Sequence, residues 1–135
     1  SIPGLPPVAA LVCYEAIFPR EVVQGRLRPG VFINVTNDGW FGTLTGPYQH
    51  LHQARVRAVE QGVPLVRAAN NGVSAVIDTE GRIVAALGLN VQGVIESFLP
   101  GAREATVYAR AGDAWLFLNL AVFVLAAGAA ARWRV

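Results

Sequence analysis

Pro6-Pro7-Val8-Ala9-Ala10-Leu11-Val12-Cys13-Tyr14-Glu15 is the stretch on which the fold turns. A short apolar run closed on its N-terminal side by two prolines has the length and punctuation of a buried strand. The only cysteine of the chain stands where that run ends. A junction from strand to loop to helix aims a side chain into a cleft and offers the following backbone N–H groups to a developing oxyanion. The alternative for Cys13 is a small buried hydrophobe.

Outward from this stretch, Phe18-Pro19-Arg20-Glu21 predicts a helix start with proline in the first turn, stopping near Gly25 and Pro29. Val31 to Val35 predicts a second buried strand. Thr36-Asn37-Asp38-Gly39-Trp40-Phe41-Gly42 is too rich in Asn, Asp and Gly to continue it and is unusually aromatic for a turn. Pro47 to Gln61 carries apolar or small residues at Leu51, Ala54, Ala58 and Val59, with Gly62 as the stop, and predicts a helix. Pro64 to Ala68 and Val73 to Ile77 predict strands on either side of Asn70-Asn71-Gly72, whose Asn-Gly step suits positive φ. Asp78 to Gly81 predicts a turn into Ile83 to Leu87, and Gly93 to Phe98 a further strand before an irregular stretch to Asp113. Interspersed strands and helices give an α/β layer structure.

Trp115 to Ala131 is different in kind, with Asn119 its one clearly polar side chain. Its 17 residues span roughly 25 Å as a helix, close to the ~30 Å hydrocarbon core of a bilayer. Trp115 and Trp133 stand where interfacial aromatics are expected, and Arg132 and Arg134 follow the run. Apolar residues on every face argue against a helix lying flat on a surface; the alternative is a buried core helix. Asp113 before the run and two arginines after it favour the C-terminus inside, placing residues 1–112 in the outer compartment.

The 135 residues carry eleven basic and nine acidic side chains, a net charge of +2, too balanced for a nucleic-acid partner. One cysteine cannot close an internal disulfide. Neither a Walker loop nor a dinucleotide glycine signature occurs, so no nucleotide cofactor is expected. His50 and His52, two apart, cannot form an i, i+4 metal pair on a helix, and no metal is implied. Arg57 and Glu60, three apart on the predicted helix, make a structural ion pair. The sequence opens Ser1-Ile2-Pro3 and lacks both methionine and lysine; it reads as a fragment of a longer chain.

Cys13-Tyr14-Glu15, Asn34-Val35-Thr36-Asn37-Asp38-Gly39-Trp40-Phe41-Gly42, Gly46-Pro47-Tyr48-Gln49-His50, Arg57-Ala58-Val59-Glu60 and Arg67-Ala68-Ala69-Asn70-Asn71-Gly72 form five ordered blocks. They resemble the nitrilase superfamily and, within it, the apolipoprotein N-acyltransferases. The resemblance implies that residues 1–112 are the C-terminal part of a nitrilase-type α-β-β-α sandwich, followed by one transmembrane helix over 113–135. It implies a Cys nucleophile, a Glu general base and an oxyanion-holding Lys. Only the cysteine is present, because the family's Glu and Lys both precede this block and the chain has neither a lysine nor a glutamate before Glu15.

For the intact enzyme the resemblance implies that Cys13 takes an acyl chain from a phospholipid as a thioester. The acceptor is the α-amine of a diacylglyceryl-cysteine lipoprotein, at the inner membrane with the catalytic part facing the periplasm. The Tyr14 N–H would be an oxyanion donor, and Glu15 either a second carboxylate supporting the site or a buried partner of an arginine. Asn37, Trp40 and Phe41 would bind substrate, although aromatics packed under a helix are an equal reading. No cofactor is implied. The runner-up is a membrane-anchored amidase that hands its acyl group to water, and a third reading is a non-catalytic tethered module.

Overall fold

The computed structural model describes residues 4–23 and 27–132. Five strands, β1 (Val8–Val12), β2 (Val31–Asn37), β3 (Leu65–Asn70), β4 (Ser74–Ile77) and β5 (Ile83–Leu87), form one sheet in sequence order. β1, β2 and β3 are parallel, while β3–β4 and β4–β5 are antiparallel. The long helix α1 (Gly46–Gln61) makes the β2-to-β3 crossover, with Pro47 in its first turn and Gly62 ending it at φ +63°. Parallel neighbours need such a crossover, whereas the antiparallel pairs close through short turns.

Alternation along the parallel strands decides the two faces. Leu11, Phe32 and Leu65 point to the α1 side, where Leu51, Ala54 and Ala58 complete the apolar core. Further along the same face the residues turn polar, since Asn34 and Arg67 follow Phe32 and Leu65 at a spacing of two and are paired across the sheet. The core therefore ends in a buried polar layer at the carboxyl ends of the parallel strands. On the opposite face the row Val12, Val35 and Ala68 is exposed, Val12 to 57%. β1 is thus an edge strand with only Leu11 fully buried, not the wholly buried strand expected.

Three further expectations are corrected. Among the described residues no helix follows Pro19: residues 19–21 form a turn and 22–23 a bend, and 24–26 lie outside the described residues. The apolar pair Val22-Val23 has no helical spacing, and the interval to Pro29 is too short to repay nucleation. Gly93 to Phe98 forms no ladder among the described residues, and Val94 and Phe98 are exposed; strand-forming residues without a neighbouring edge do not make a strand. Within the stretch expected to be irregular, Thr106 caps a short helix, α2 (Val107–Ala111), by accepting from the Ala109 N–H at 2.9 Å.

The helix α3 (Ala114–Arg132) is long and apolar enough to cross a membrane, and none of Ala114–Ala131 is buried against the rest of the chain. Among the described residues nothing packs over the helix as the buried-core alternative requires. Trp133 and Arg134 lie outside the described residues.

Candidate active site around Cys13

β1 delivers Cys13 into the left-handed region, φ +51°, a conformation that costs a non-glycine residue about 1–3 kcal/mol. A short 3₁₀ helix, Cys13–Ile17, starts at once. Two side chains hold this bend. Asn34 Nδ2 donates to the Leu11 carbonyl at 3.0 Å and to the Cys13 carbonyl at 3.5 Å, and Glu15 Oε2 accepts from the Val12 N–H at 2.6 Å. The cysteine residue is half-buried.

Behind the sulfur lies a network that the spacing of the sequence did not announce. Thr36 Oγ1 is 3.6 Å from Cys13 Sγ and 3.2 Å from Asp38 Oδ1. His50 Nδ1 lies 2.9 Å from Asp38 Oδ1, and Arg67 donates to Asp38 Oδ2 at 2.6 Å, with Asp38 and the Arg67 side chain both fully buried. Arg67 also donates to Asn34 Oδ1 and, through Nε, to the Val73 carbonyl at 3.3 Å. Desolvation lowers the Arg67 guanidinium from its ordinary value, and Asp38 and Cys13 oppose that pull. A carboxylate facing a guanidinium only accepts, so the proton of the His50–Asp38 contact belongs on Nδ1. His50 Nε2 is left buried and without a partner among the described residues.

An aromatic group covers the imidazole. Tyr14 and Phe41 lie 5.8 and 5.2 Å from the His50 ring, centroid to centroid, and 6.1 Å from one another in a stacked pair. Phe18 meets Tyr14 edge-on at 6.2 Å. Tyr14 is thus a side-chain support as well as the residue whose N–H opens the 3₁₀ turn. Trp40, by contrast, is 86% exposed.

The other sequence-singled residues fall as follows. Glu15 is exposed and caps its own turn, and among the described residues no arginine pairs with it. Asn37 accepts from the Gly39 N–H at 3.0 Å and from Asn70 Nδ2 at 3.4 Å, holding the loop. In Asn70-Asn71-Gly72 the positive φ belongs to Asn71, at +60°; Gly72 is needed because a Cβ there would collide with the Asp38 carboxylate. Asn34, Thr36, Asp38, His50 and Arg67 were absent from the sequence-based site. One signal could have found them: Arg67 occupies an inward position of a strand, and a buried charge demands a partner.

Arg57 and Glu60 make the expected ion pair, 3.0 Å apart, away from Cys13. Desolvation pushes the Glu60 carboxyl above its ordinary value, Arg57 pulls it down and Asp113 adds to the rise. The folded state therefore binds the Glu60 proton more tightly than the unfolded chain. That contribution to stability is present below the ordinary glutamate value and is lost as pH climbs through the raised one. Melting curves across that window should show the midpoint falling with pH in the native protein and a flatter dependence in Glu60→Gln; equal slopes would exclude Glu60 as the cause.

The carbon-nitrogen hydrolase family matches residues 2–115. The apolipoprotein N-acyltransferase of Rhodopseudomonas palustris is 63% identical over 113 residues, covering 84% of this chain and 21% of that protein. That of Bradyrhizobium diazoefficiens is 57% identical, covering 93% of this chain and 24% of the relative. The chain thus spans about a quarter of the length of these relatives. Among solved structures, a carbon-nitrogen hydrolase from Helicobacter pylori superposes with a TM-score of 0.51 at 15% identity, over 63% of this chain and 37% of that one, a likeness of fold alone. With most of its length matched and its sheet, crossover helix and cysteine bend in the places described, the chain belongs to the carbon-nitrogen hydrolase family.

Proposed function

We propose that this segment is the nucleophile-bearing part of an apolipoprotein N-acyltransferase, with residues 1–112 as the nitrilase-like part and 113–135 as its membrane anchor. The observation that carries the reading is Cys13, held at a strained strand-to-helix bend beside an aromatic surface, on a chain that continues into an unburied apolar helix. In the whole protein the thiol proton passes to a carboxylate base and the sulfur attacks the ester carbonyl of a phospholipid. The oxyanion that forms is met by the Tyr14 N–H and by a lysine from outside this segment. The lysophospholipid leaves as the alcohol, and the α-amine of a diacylglyceryl-cysteine lipoprotein then displaces the sulfur. A thiolate is a good nucleophile and a fair leaving group, which divides one difficult exchange into two. Glu15 supports the site through the bend it caps, and Asn37, Trp40 and Phe41 border the substrate. The exposed indole of Trp40 suits contact with an acyl chain or the membrane surface. Residues 1–112 face the periplasm at the inner membrane.

Intact-mass measurement of the full-length protein with phospholipid vesicles tests this. An acyl-sized increment at Cys13, lost in Cys13→Ala and discharged by a lipopeptide amine, is expected. Discharge by water at the same rate would point to the amidase instead. Having no lysine, the 135-residue chain alone should show no turnover, and measurable transfer by it would contradict the assignment of that role to an outside residue.

A further inference from the structure

Thioester chemistry at Cys13 leaves one hydroxyl unexplained, and it sits between the sulfur and the buried ion pair. Thr36 Oγ1 is within reach of both Cys13 Sγ, at 3.6 Å, and Asp38 Oδ1, at 3.2 Å. A hydroxyl has one proton to give, so it serves one acceptor at a time. Asp38 does not depend on that proton, because His50 engages Oδ1 and Arg67 engages Oδ2.

We propose that Thr36 is a positioning residue whose hydroxyl turns between these two acceptors as the charge on sulfur changes. While Cys13 is a thiol, S–H donates to Oγ1 and the hydroxyl donates to Asp38. Once a carboxylate base has taken the thiol proton, the hydroxyl turns and donates to the thiolate. No bond of Thr36 breaks, and the proton that leaves sulfur ends on the base. The charged and titratable groups around the sulfur are Glu15 on its own turn, Asp38 beyond β2, His50 from α1 and Arg67 from β3. With two carboxylates and one guanidinium among them, a thiolate gains from a neutral donor that can also release it. Asn34, by bonding the carbonyls on either side of the bend, holds the sulfur within reach of that donor.

The inference rests on Cys13 being the nucleophile, and the test separates the two. In the full-length protein in detergent micelles, the rate of iodoacetamide alkylation at Cys13 is followed by peptide mass, alongside acyl-adduct formation from phospholipid vesicles. T36V should slow alkylation about tenfold, the scale of one lost hydrogen bond to an ionised group, with an unchanged melting midpoint. T36S should return within about twofold of the native rate, because it restores the hydroxyl. If T36V melts early, T36A, which sets no methyl against Asp38, is read in its place. Alkylation of the hydroxyl-free variant at the native rate, or of T36S as slowly as T36V, overturns the proposal. If the native protein forms no acyl adduct while alkylation still follows the hydroxyl, the proposed function fails and the switch stands.

Discussion

Arg67→Met lowers the stability of the protein by about 3–5 kcal/mol, because it leaves the buried Asp38 carboxylate without its counter-charge. Asp38 and the Arg67 side chain are fully buried, and the guanidinium serves three acceptors: Asp38, Asn34 and the Val73 carbonyl. Methionine fills a similar length but returns none of those bonds. The pair of Arg82 with Asp78, also 2.6 Å apart, is the comparison: the Arg82 side chain is 70% exposed, so water screens the contact, and the buried Asp78 carboxylate keeps the Glu80 and Arg82 backbone N–H groups as donors when Arg82 is cut back. Thermal melts in detergent should show a large drop for Arg67→Met and almost none for Arg82→Met. Adding Asp38→Asn to Arg67→Met should recover part of the loss, because the two residues act as a unit. Equal midpoints for the two arginine variants would mean that the buried pair does not hold the strand ends together.

Much of the scaffold was legible because it obeys short-range rules. The segments expected as strands at Val8–Val12, Val31–Val35 and Pro64–Ala68 fall on β1 (Val8–Val12), β2 (Val31–Asn37) and β3 (Leu65–Asn70), and the Pro47-to-Gly62 frame is a helix with its stop in place. Local rules failed where a segment's fate depends on what it meets. Pro19 signals a helix start, yet Val22 enters the core from a bend. Gly93 to Phe98 has strand-forming residues, yet among the described residues it pairs with no strand. The strand expected to stop at Val35 runs on through Asn37, since its pairing with β3 outweighs the turn preference of Thr-Asn.

Within the candidate site, the sequence singles out Cys13 and the aromatics Tyr14 and Phe41 that stack near it, but not the buried polar groups behind the sulfur. Cys13 stood out because an apolar run ends there. Its supporting network includes partners as far apart as 23 positions, Thr36 to Cys13, and 33, Arg67 to Asn34, separations at which no periodicity operates. Asp38 looked like a turn former in Asn37-Asp38-Gly39, but tertiary pairing buries it completely. Polar residues on the inward rows of β2 and β3 therefore do two things together. They end the apolar core, and they anchor the bend that presents the sulfur. Parallel strands with a crossover helix make their carboxyl ends the natural place for such a site, because the loops that leave those ends converge there.

Gly72→Ala should be nearly as damaging as the loss of Arg67, although it adds a single methyl group to a turn. An added Cβ falls on Asp38 Oδ2 and lies 2.6 Å from its Cγ and 2.8 Å from its Cβ. A flexible side chain would step aside, but this carboxylate is bound by Arg67, His50 and Thr36 and enclosed on all sides. Either the turn between β3 and β4 shifts or the carboxylate leaves its partners. Overpacking of this kind costs about 1–3 kcal/mol, and detaching Asp38 from Arg67 moves the total toward the 3–5 kcal/mol of a broken buried pair. The same substitution at Gly101, where nothing lies within 4 Å of a new Cβ, should leave stability within about 0.5 kcal/mol. Because Arg67, held by Asp38, also bonds Asn34, which fixes the Cys13 bend, Gly72→Ala should also change the alkylation rate of Cys13, while Gly101→Ala should not. A Gly72→Ala protein with native melting and native thiol reactivity would show that Asp38 is free to move, and the buried network would then not be what positions the cysteine.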